Sequence, residues 1–258
     1  MPQPPVIILQ ATGTNRDQDA AEAVRLAGGL PTVLHVNQLR KNPSRLLDYQ
    51  MLILPGGFSY GDALGAGRLL AQDLRWLFQD PMARFIESGK PVIGICNGFQ
   101  ALVKSRWLPG LAGNGAQATL TRNTSNRFEC RWVWLAANPQ SQCVFTKGIT
   151  DLVHCPVAHG EGRFVTRDAQ VLTDLHAQGR ITLTYSNRDG SPPAYPANPN
   201  GSVANIAGIC NAQGNVMGMM PHPENHIYPW QHPRRTRGEY GNAGLKLFEN
   251  GIRYAAGI

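Results

Sequence analysis

The sequence predicts an α/β protein built on an open, mostly parallel sheet flanked by helices, with added antiparallel hairpins. Three observations predict it. Over the first hundred residues, short apolar runs alternate with helical stretches, the pattern of strands that carry helices on both faces. In the second half, apolar runs alternate residue by residue and are joined by Gly and Asn turns, as hairpins are. Of 258 residues, 42% are hydrophobic and 16% charged, which supports a sizeable core and excludes disorder. No internal repeat and no compositional break divides the chain, so residues 1–258 are expected to form one domain.

The elements follow in order. VIILQ (6–10) is a compact apolar strand, followed by the turn-like TGTN. Asp17 to Leu26 reads as a helix stopped by Gly28 and Gly29. PTVLHV (31–36) and MLILP (51–55) are the next strands, and the second runs into the glycine-rich loop GGFSYGDALGAG. Helices are expected from Arg68 to Phe78 and from Met82 to Ser88. PVIGI (91–95) is a strand, and Asn97 to Val103 begins a helix. FECRWVW (128–134) alternates, which puts Phe128, Cys130, Trp132 and Trp134 on one face, expected to pack in the core. GRITLTYSN and VANIAGICNAQGNVMGMM read as hairpin strands, with the Pro/Asn-rich loop SPPAYPANPNGS between them. Leu245, Phe248 and Ile252 recur at helical spacing in a closing helix.

Charge and cysteine usage narrow the class. The net charge of +7 is scattered, apart from Arg234, Arg235 and Arg237. No aromatic-interleaved basic stripe or nucleic-acid motif accompanies it, so the balance is that of a mildly basic soluble enzyme. The three arginines, close in sequence to His222, suggest a docking face for an acidic partner. Five cysteines without a C-x-x-C pair indicate neither a disulfide framework nor a zinc site. The first residues lack the charged region of a signal peptide, and no apolar run is long enough to span a bilayer. A reducing, cytoplasmic compartment is expected.

The chemistry gathers around GICNG, residues 94–98. Glycine, any residue, nucleophile, any residue, glycine is the pattern of a nucleophile elbow, here with Cys96 as the nucleophile. The reacting residue sits in a strained strand-to-helix turn, where neighbouring Cβ atoms would clash. The helix N-terminus behind it favours a thiolate. The same five residues suit a buried cysteine at a strand end, and the short motif does not separate the two.

A nucleophile needs a base. In GMMPHPEN, Pro221 and Pro223 bracket His222 and bias it to an extended backbone. Residues two apart then share a face, so Glu224 can hold one ring nitrogen while the other meets a thiol. A solvated turn would carry the same four residues. His226 and His232 follow closely, yet no carboxylate and histidine pattern completes a metal site. LPGGFSYGD (54–62) puts two glycines just after a strand, at the sheet edge where open α/β sheets bind ligands. The N–H groups near Gly57 and at Asn97 could form an oxyanion hole. A phosphate-binding loop is the competing reading, but the P-loop lysine and G-x-G-x-x-G are missing.

A P-G-G loop, then G-x-C-x-G-x-Q, then a distant H-x-E resembles a class I glutamine amidotransferase, a flavodoxin-like domain. GTNRDQDAA, GGFSYGDALGAG, GICNGFQALV, RNTSNRFECR, AHGEGRF and NPNGSVANIAGICNAQGNVMGMMPHPE further resemble the glutaminases of phosphoribosylformylglycinamidine synthase, over about residues 13–224. The resemblance implies that Cys96 attacks L-glutamine, that His222 and Glu224 complete a triad, and that Gly56 and Gln100 bind substrate. It places His159, Glu161 and Arg163 of HGEGRF near the glutamine site or a partner interface. It implies a synthetase partner, alone or with a further small subunit, that takes the ammonia. That partner, rather than this chain, would use ATP and magnesium. The start is similar to that of a stand-alone glutaminase subunit, and SYGDALGAG and RNTSNRFE are also close to the long single-chain form, where the same domain is C-terminal. The sequence departs from the family at Arg16, where a cysteine is common, and at Asn225.

Two rivals remain on sequence grounds. A peptidase-like or deglycase-like cysteine hydrolase shares the elbow, but its histidine usually follows the cysteine directly, where Asn97 stands here. A binding module without chemistry would have no use for Cys96, His222 and Glu224 together. Five glycines in the twelve residues of GGFSYGDALGAG also predict a loop with no single preferred conformation, ordered only when a partner docks.

Overall fold

The computed structural model describes residues 3–111 and 115–258. The strands are β1 (Pro5–Gln10), β2 (Leu30–His35), β3 (Met51–Leu54), β4 (Val92–Ile95), β5 (Ala118–Thr121) and β6 (Glu129–Ala137). They continue with β7 (Val153–His159), β8 (Arg163–Thr166), β9 (Ile181–Ser186), β10 (Ile206–Cys210) and β11 (Val216–Met219). The helices are α1 (Asp17–Leu26), α2 (Val36–Lys41), α3 (Arg68–Gln72), α4 (Gln79–Glu87), α5 (Asn97–Lys104), α6 (Ala169–Ala177) and α7 (Leu245–Ala255).

One sheet runs β2-β1-β3-β4-β11-β10-β9-β6-β7, and β5 pairs with β8 in a separate ribbon. From β2 to β11 every pairing is parallel. From β11 to β7 every pairing is antiparallel. The parallel core and flanking helices are the expected architecture, and the antiparallel half is as extensive as the core. β3 and β4 are buried throughout, as strands covered on both faces must be. On the helical layers, α1 packs with α7, and α3 with α5.

The order places β3, β4 and β11 side by side and parallel. Their carboxyl ends therefore open on one edge. Gly56 and Gly57 follow β3, Cys96 follows β4, and His222 lies three residues beyond β11.

Two expectations need correction. The helix from Arg68 to Phe78 is α3 followed by a π-turn at Asp73–Leu77, where Asp73 accepts from the Tyr60 hydroxyl at 2.5 Å. The face of β6 bearing Phe128, Cys130, Trp132 and Trp134 is not the core face. Phe128 is 53% exposed, whereas Val133 and Leu135, on the other face, are buried. Both faces of β6 are partly apolar, so alternation alone does not say which one turns inward. Trp132 and Trp134 pack instead on the rings of His154, His226 and His232.

The glycine-rich loop is tied by hydrogen bonds to the turn after β1. Its amides and carbonyls find partners outside it: Tyr60 N–H donates to the Thr12 carbonyl at 2.6 Å, and Phe58 N–H to that of Gly13 at 3.0 Å. No helix of the described residues is long and apolar enough to cross a membrane.

Candidate active site

Cys96 holds the strained conformation itself, at φ 51° and ψ −104°, between β4 and α5. A non-glycine residue there costs about 1–3 kcal/mol. The flanking glycines supply space rather than backbone freedom. A Cβ at Gly98 would lie 1.9 Å from the Leu54 carbonyl oxygen, and one at Gly94 would lie 2.7 Å from the Gly98 backbone. Both glycines let α5 descend onto β3 and β4, which presents its N-terminus to the thiol.

His222 is fixed from two sides. Its backbone N–H donates to the Pro156 carbonyl at 2.8 Å, and Nδ1 donates to Glu224 Oε1 at 2.6 Å. Both side chains are buried. The pair is closed by a tight turn at Pro223–Asn225 rather than by an extended strand. Pro223 still keeps His222 out of the helical region, at φ −103° and ψ 87°. Burial alone would lower the His222 pKa, but the charges of Glu224 and Cys96 outweigh it and raise it to about 10. The ring is therefore an imidazolium at neutral pH. Its Nε2 is buried and makes no hydrogen bond of ordinary geometry among the described residues. Cys96 Sγ meanwhile rests 3.7 Å from the Ala158 carbonyl.

A pocket of about 160 Å³ opens beside the thiol, lined by Gly57, Cys96, Gln100, Ala158, His159 and Glu161 among others. Asn97 opens α5, so its N–H has no acceptor within the helix. Its side chain pins the glycine-rich loop, accepting from Ser59 N–H at 3.1 Å and donating to Asp62 at 3.0 Å. Gln100 is buried one turn on, donating to the Glu161 carbonyl at 2.7 Å and accepting from Asn97 at 3.1 Å. Gly56, expected to bind substrate, does not line the pocket. It lies against His222, where an added Cβ would sit 2.7 Å from ring Cε1. Gly56→Ala should push the ring away from Cys96. A displacement of about 1 Å costs roughly 10²-fold in turnover, and wild-type glutamate release by this variant would refute that role.

The motifs without assigned roles form one platform. Asn123 donates to the His159 carbonyl at 2.8 Å and accepts from Gly162 N–H at 3.0 Å. Asn200 donates to the Gly162 carbonyl at 2.9 Å, and Ser202 Oγ accepts from Phe164 N–H at 2.9 Å. RNTSNR and NPNGS thus hold HGEGRF over the thiol. Sequence reasoning could not see this, because side-chain amides on loops have no periodicity. His159 is buried with neither ring nitrogen bonded among the described residues. Burial, aided by His222, pulls its pKa down to about 3. Burial likewise holds His154 down to about 3, aided by His232, His226 and Arg188.

Below the ordinary histidine value, the unfolded chain binds protons that the folded chain refuses, so stability is lost as pH falls from about 6.5 towards 3. A His154→Asn, His159→Asn variant should lose less melting temperature than wild type between neutrality and about pH 4. Parallel profiles would contradict the assignment.

Other expected residues lie apart. Arg16 and Asn225, the two departures from the family pattern, both donate to Asp19 Oδ2 at 3.0 Å. One carboxylate therefore ties the loop after β1 to the turn that carries Glu224. His226 and His232 join His154, with ring centroids 5.1–5.9 Å apart. No group of three His, Cys, Asp or Glu among the described residues is arranged to hold a metal. Arg234 pairs with Glu239 at 2.9 Å, and Arg235 donates to the Trp230 carbonyl at 2.6 Å, so this cluster is largely satisfied internally.

Comparison with known proteins bears on this geometry. The CobB/CobQ-like glutamine amidotransferase domain matches residues 3–255. The phosphoribosylformylglycinamidine synthase subunit PurQ of Treponema denticola is 47% identical over 268 residues, covering 98% of this chain and 99% of the relative. That of Dehalococcoides mccartyi is 46% identical over 253 residues, covering 96% of each. A chain of PurLQS from Thermotoga maritima superposes with a TM-score of 0.75 at 32% identity, covering 98% of this chain and 99% of that one. With an elbow cysteine and a His–Glu pair at one sheet edge, and matches along nearly its whole length, the chain belongs to the PurQ family of glutamine amidotransferase subunits.

Proposed function

We propose that this chain hydrolyses L-glutamine through Cys96, His222 and Glu224 and supplies the ammonia for formylglycinamidine ribonucleotide synthesis in purine biosynthesis. The observation that carries the reading is the buried His222–Glu224 pair beside a strained cysteine at the mouth of a small pocket. The Cys96 thiolate attacks the carboxamide carbon, and the oxyanion is held by the N–H groups of Gly57 and Asn97. The imidazolium of His222 gives its proton to the departing ammonia. Neutral His222 then takes a proton from water, which cleaves the γ-glutamyl thioester, releases glutamate and restores the thiolate and imidazolium. Glu224 keeps the ring oriented and charged. Gln100 shapes the pocket wall and meets the substrate amino acid.

Residues 1–258 act as one unit on this reading, which the continuous hydrophobic core supports. The Thermotoga relative comes from a PurLQS assembly, which supports a PurL-type synthetase and a PurS-type small subunit as partners. ATP and magnesium are used by the synthetase. A cytoplasmic location accords with five free thiols.

The test is glutamate release by the pure chain, with and without synthetase, ATP and formylglycinamide ribonucleotide. Release is expected to rise at least about tenfold in the complete mixture, as a coupling of ordinary size between sites would give. Equal turnover in both would favour a free-standing cysteine hydrolase.

A further inference from the structure

A groove of about 460 Å³ lies between α3, the end of α5 and β5. Arg68, Arg75, Lys104 and Arg106 line it, and Glu161 is the one carboxylate on its walls. Among the described residues, Arg68, Arg75 and Arg106 make no ion pair. Lys104 is half-buried; burial lowers its pKa and Arg68 adds to this, while Glu161 and Asp62 oppose. Three arginines are thus gathered without a paired counter-charge, an arrangement that favours an anionic occupant. The floor is apolar, formed by Val103, Ala118 and Leu120. Leu64 on the groove wall is 64% exposed, and neighbouring Trp76, 71% exposed, lies under the Arg75 guanidinium at 5.5 Å. Apolar floor, exposed aromatic and spaced arginines suit a protein segment. A free phosphate calls for converging backbone N–H groups instead.

The groove also touches the chemistry. Glu161 lines both the groove and the glutamine pocket. Lys104 Nζ reaches the Ala66 carbonyl at 2.5 Å and Glu161 Oε2 at 3.7 Å. Glu161 Oε2 in turn accepts from Ala66 N–H at 3.3 Å, and its carbonyl holds Gln100. Lys104 and Glu161 therefore clamp the far end of the loop that begins at Gly56.

We infer that this groove receives an acidic segment of the synthetase partner, whose carboxylates compete for Lys104 and so act on the glutamine pocket through Glu161. The inference rests on the glutaminase reading above. It moves the acidic docking face from Arg234, Arg235 and Arg237 to the other end of the site. Coupling needs a difference in binding free energy between two loop arrangements, and the contest for Lys104 supplies one.

The test uses the full chain with a triple variant, Arg68→Glu, Arg75→Glu and Arg106→Glu, beside a neutral Arg→Gln triple. Affinity for the synthetase is measured over a salt series, and labelling of Cys96 by a glutamine-mimicking electrophile is measured on the isolated chain. Wild-type affinity should fall with salt. Charge reversal should weaken it at least about tenfold, the neutral triple by less, with labelling unchanged. Arg237→Glu should leave affinity as it was. Lys104→Gln should still bind the synthetase while losing most of the rise in glutamate release on docking. Unchanged affinity in both triples, or protection of the groove by millimolar inorganic phosphate without effect on docking, would overturn the inference. Absence of Cys96 labelling in wild type would instead overturn the glutaminase reading.

Discussion

Cys96→Ala is expected to abolish glutamine-dependent amidine formation by the assembled synthase while leaving the ammonia-dependent reaction intact. Loss of a covalent nucleophile that acts with its base as a unit costs about 10⁴–10⁶ in turnover. The synthetase chemistry lies elsewhere, so added ammonia should bypass the defect. A glutamine-mimicking electrophile should add one label at Cys96. Cys130 is exposed and will react with general alkylating agents, whereas Cys143, Cys155 and Cys210 are buried. Burial also raises the thiol pKa of Cys143 and Cys155. Glutamine should therefore protect Cys96 and leave Cys130 unprotected. Glutamine-protected labelling at any other cysteine would remove Cys96 from the mechanism.

His222→Ala carries the next largest expected loss. General acid and base catalysis contributes roughly 10²–10⁴-fold, and the proposed mechanism uses this residue in both steps. Glu224→Gln should cost less, because it removes the group that charges and orients the ring rather than the ring itself. It should also change the pH profile. With the carboxylate gone, burial dominates and the His222 pKa drops from about 10, so the imidazolium is lost at lower pH than in wild type. Single-turnover thioester formation across neutral to alkaline pH distinguishes the two. A Glu224→Gln profile superimposable on wild type would mean that another group sets the charge of His222.

What could be read from the sequence followed from the range of the forces involved. The five strands of the parallel core carry short continuous apolar runs, and a run of that kind reports its own burial. The nucleophile turn was legible for a similar reason, because two glycines and a cysteine within five residues record a close approach of backbones. β7 was missed because Pro156 interrupts it, and a strand tolerates proline only at an edge, which is where β7 lies. β5 and β8 are four-residue strands that pair only with each other. The pairing of His222 with Glu224 was foreseen for a partly wrong reason, since a tight turn closes it. Asn123, Asn200 and Ser202 were beyond reach, because each is defined by a carbonyl or amide about 36–40 residues away in sequence.

The adjacency of β4 and β11 has a further meaning. Met219 pairs with Ile95, and Cys96 N–H extends the ladder to the Met219 carbonyl at 2.8 Å. Cys96 and the segment leading to His222 thus leave neighbouring strands of one lattice, whose spacing of about 4.8 Å is common to all sheets. Their starting points are gauged by the backbone repeat, and the glycine-rich loop trims the final approach, with Gly56 against the His222 ring. The sheet is thus a coarse ruler for the pair, and the loop its fine adjustment.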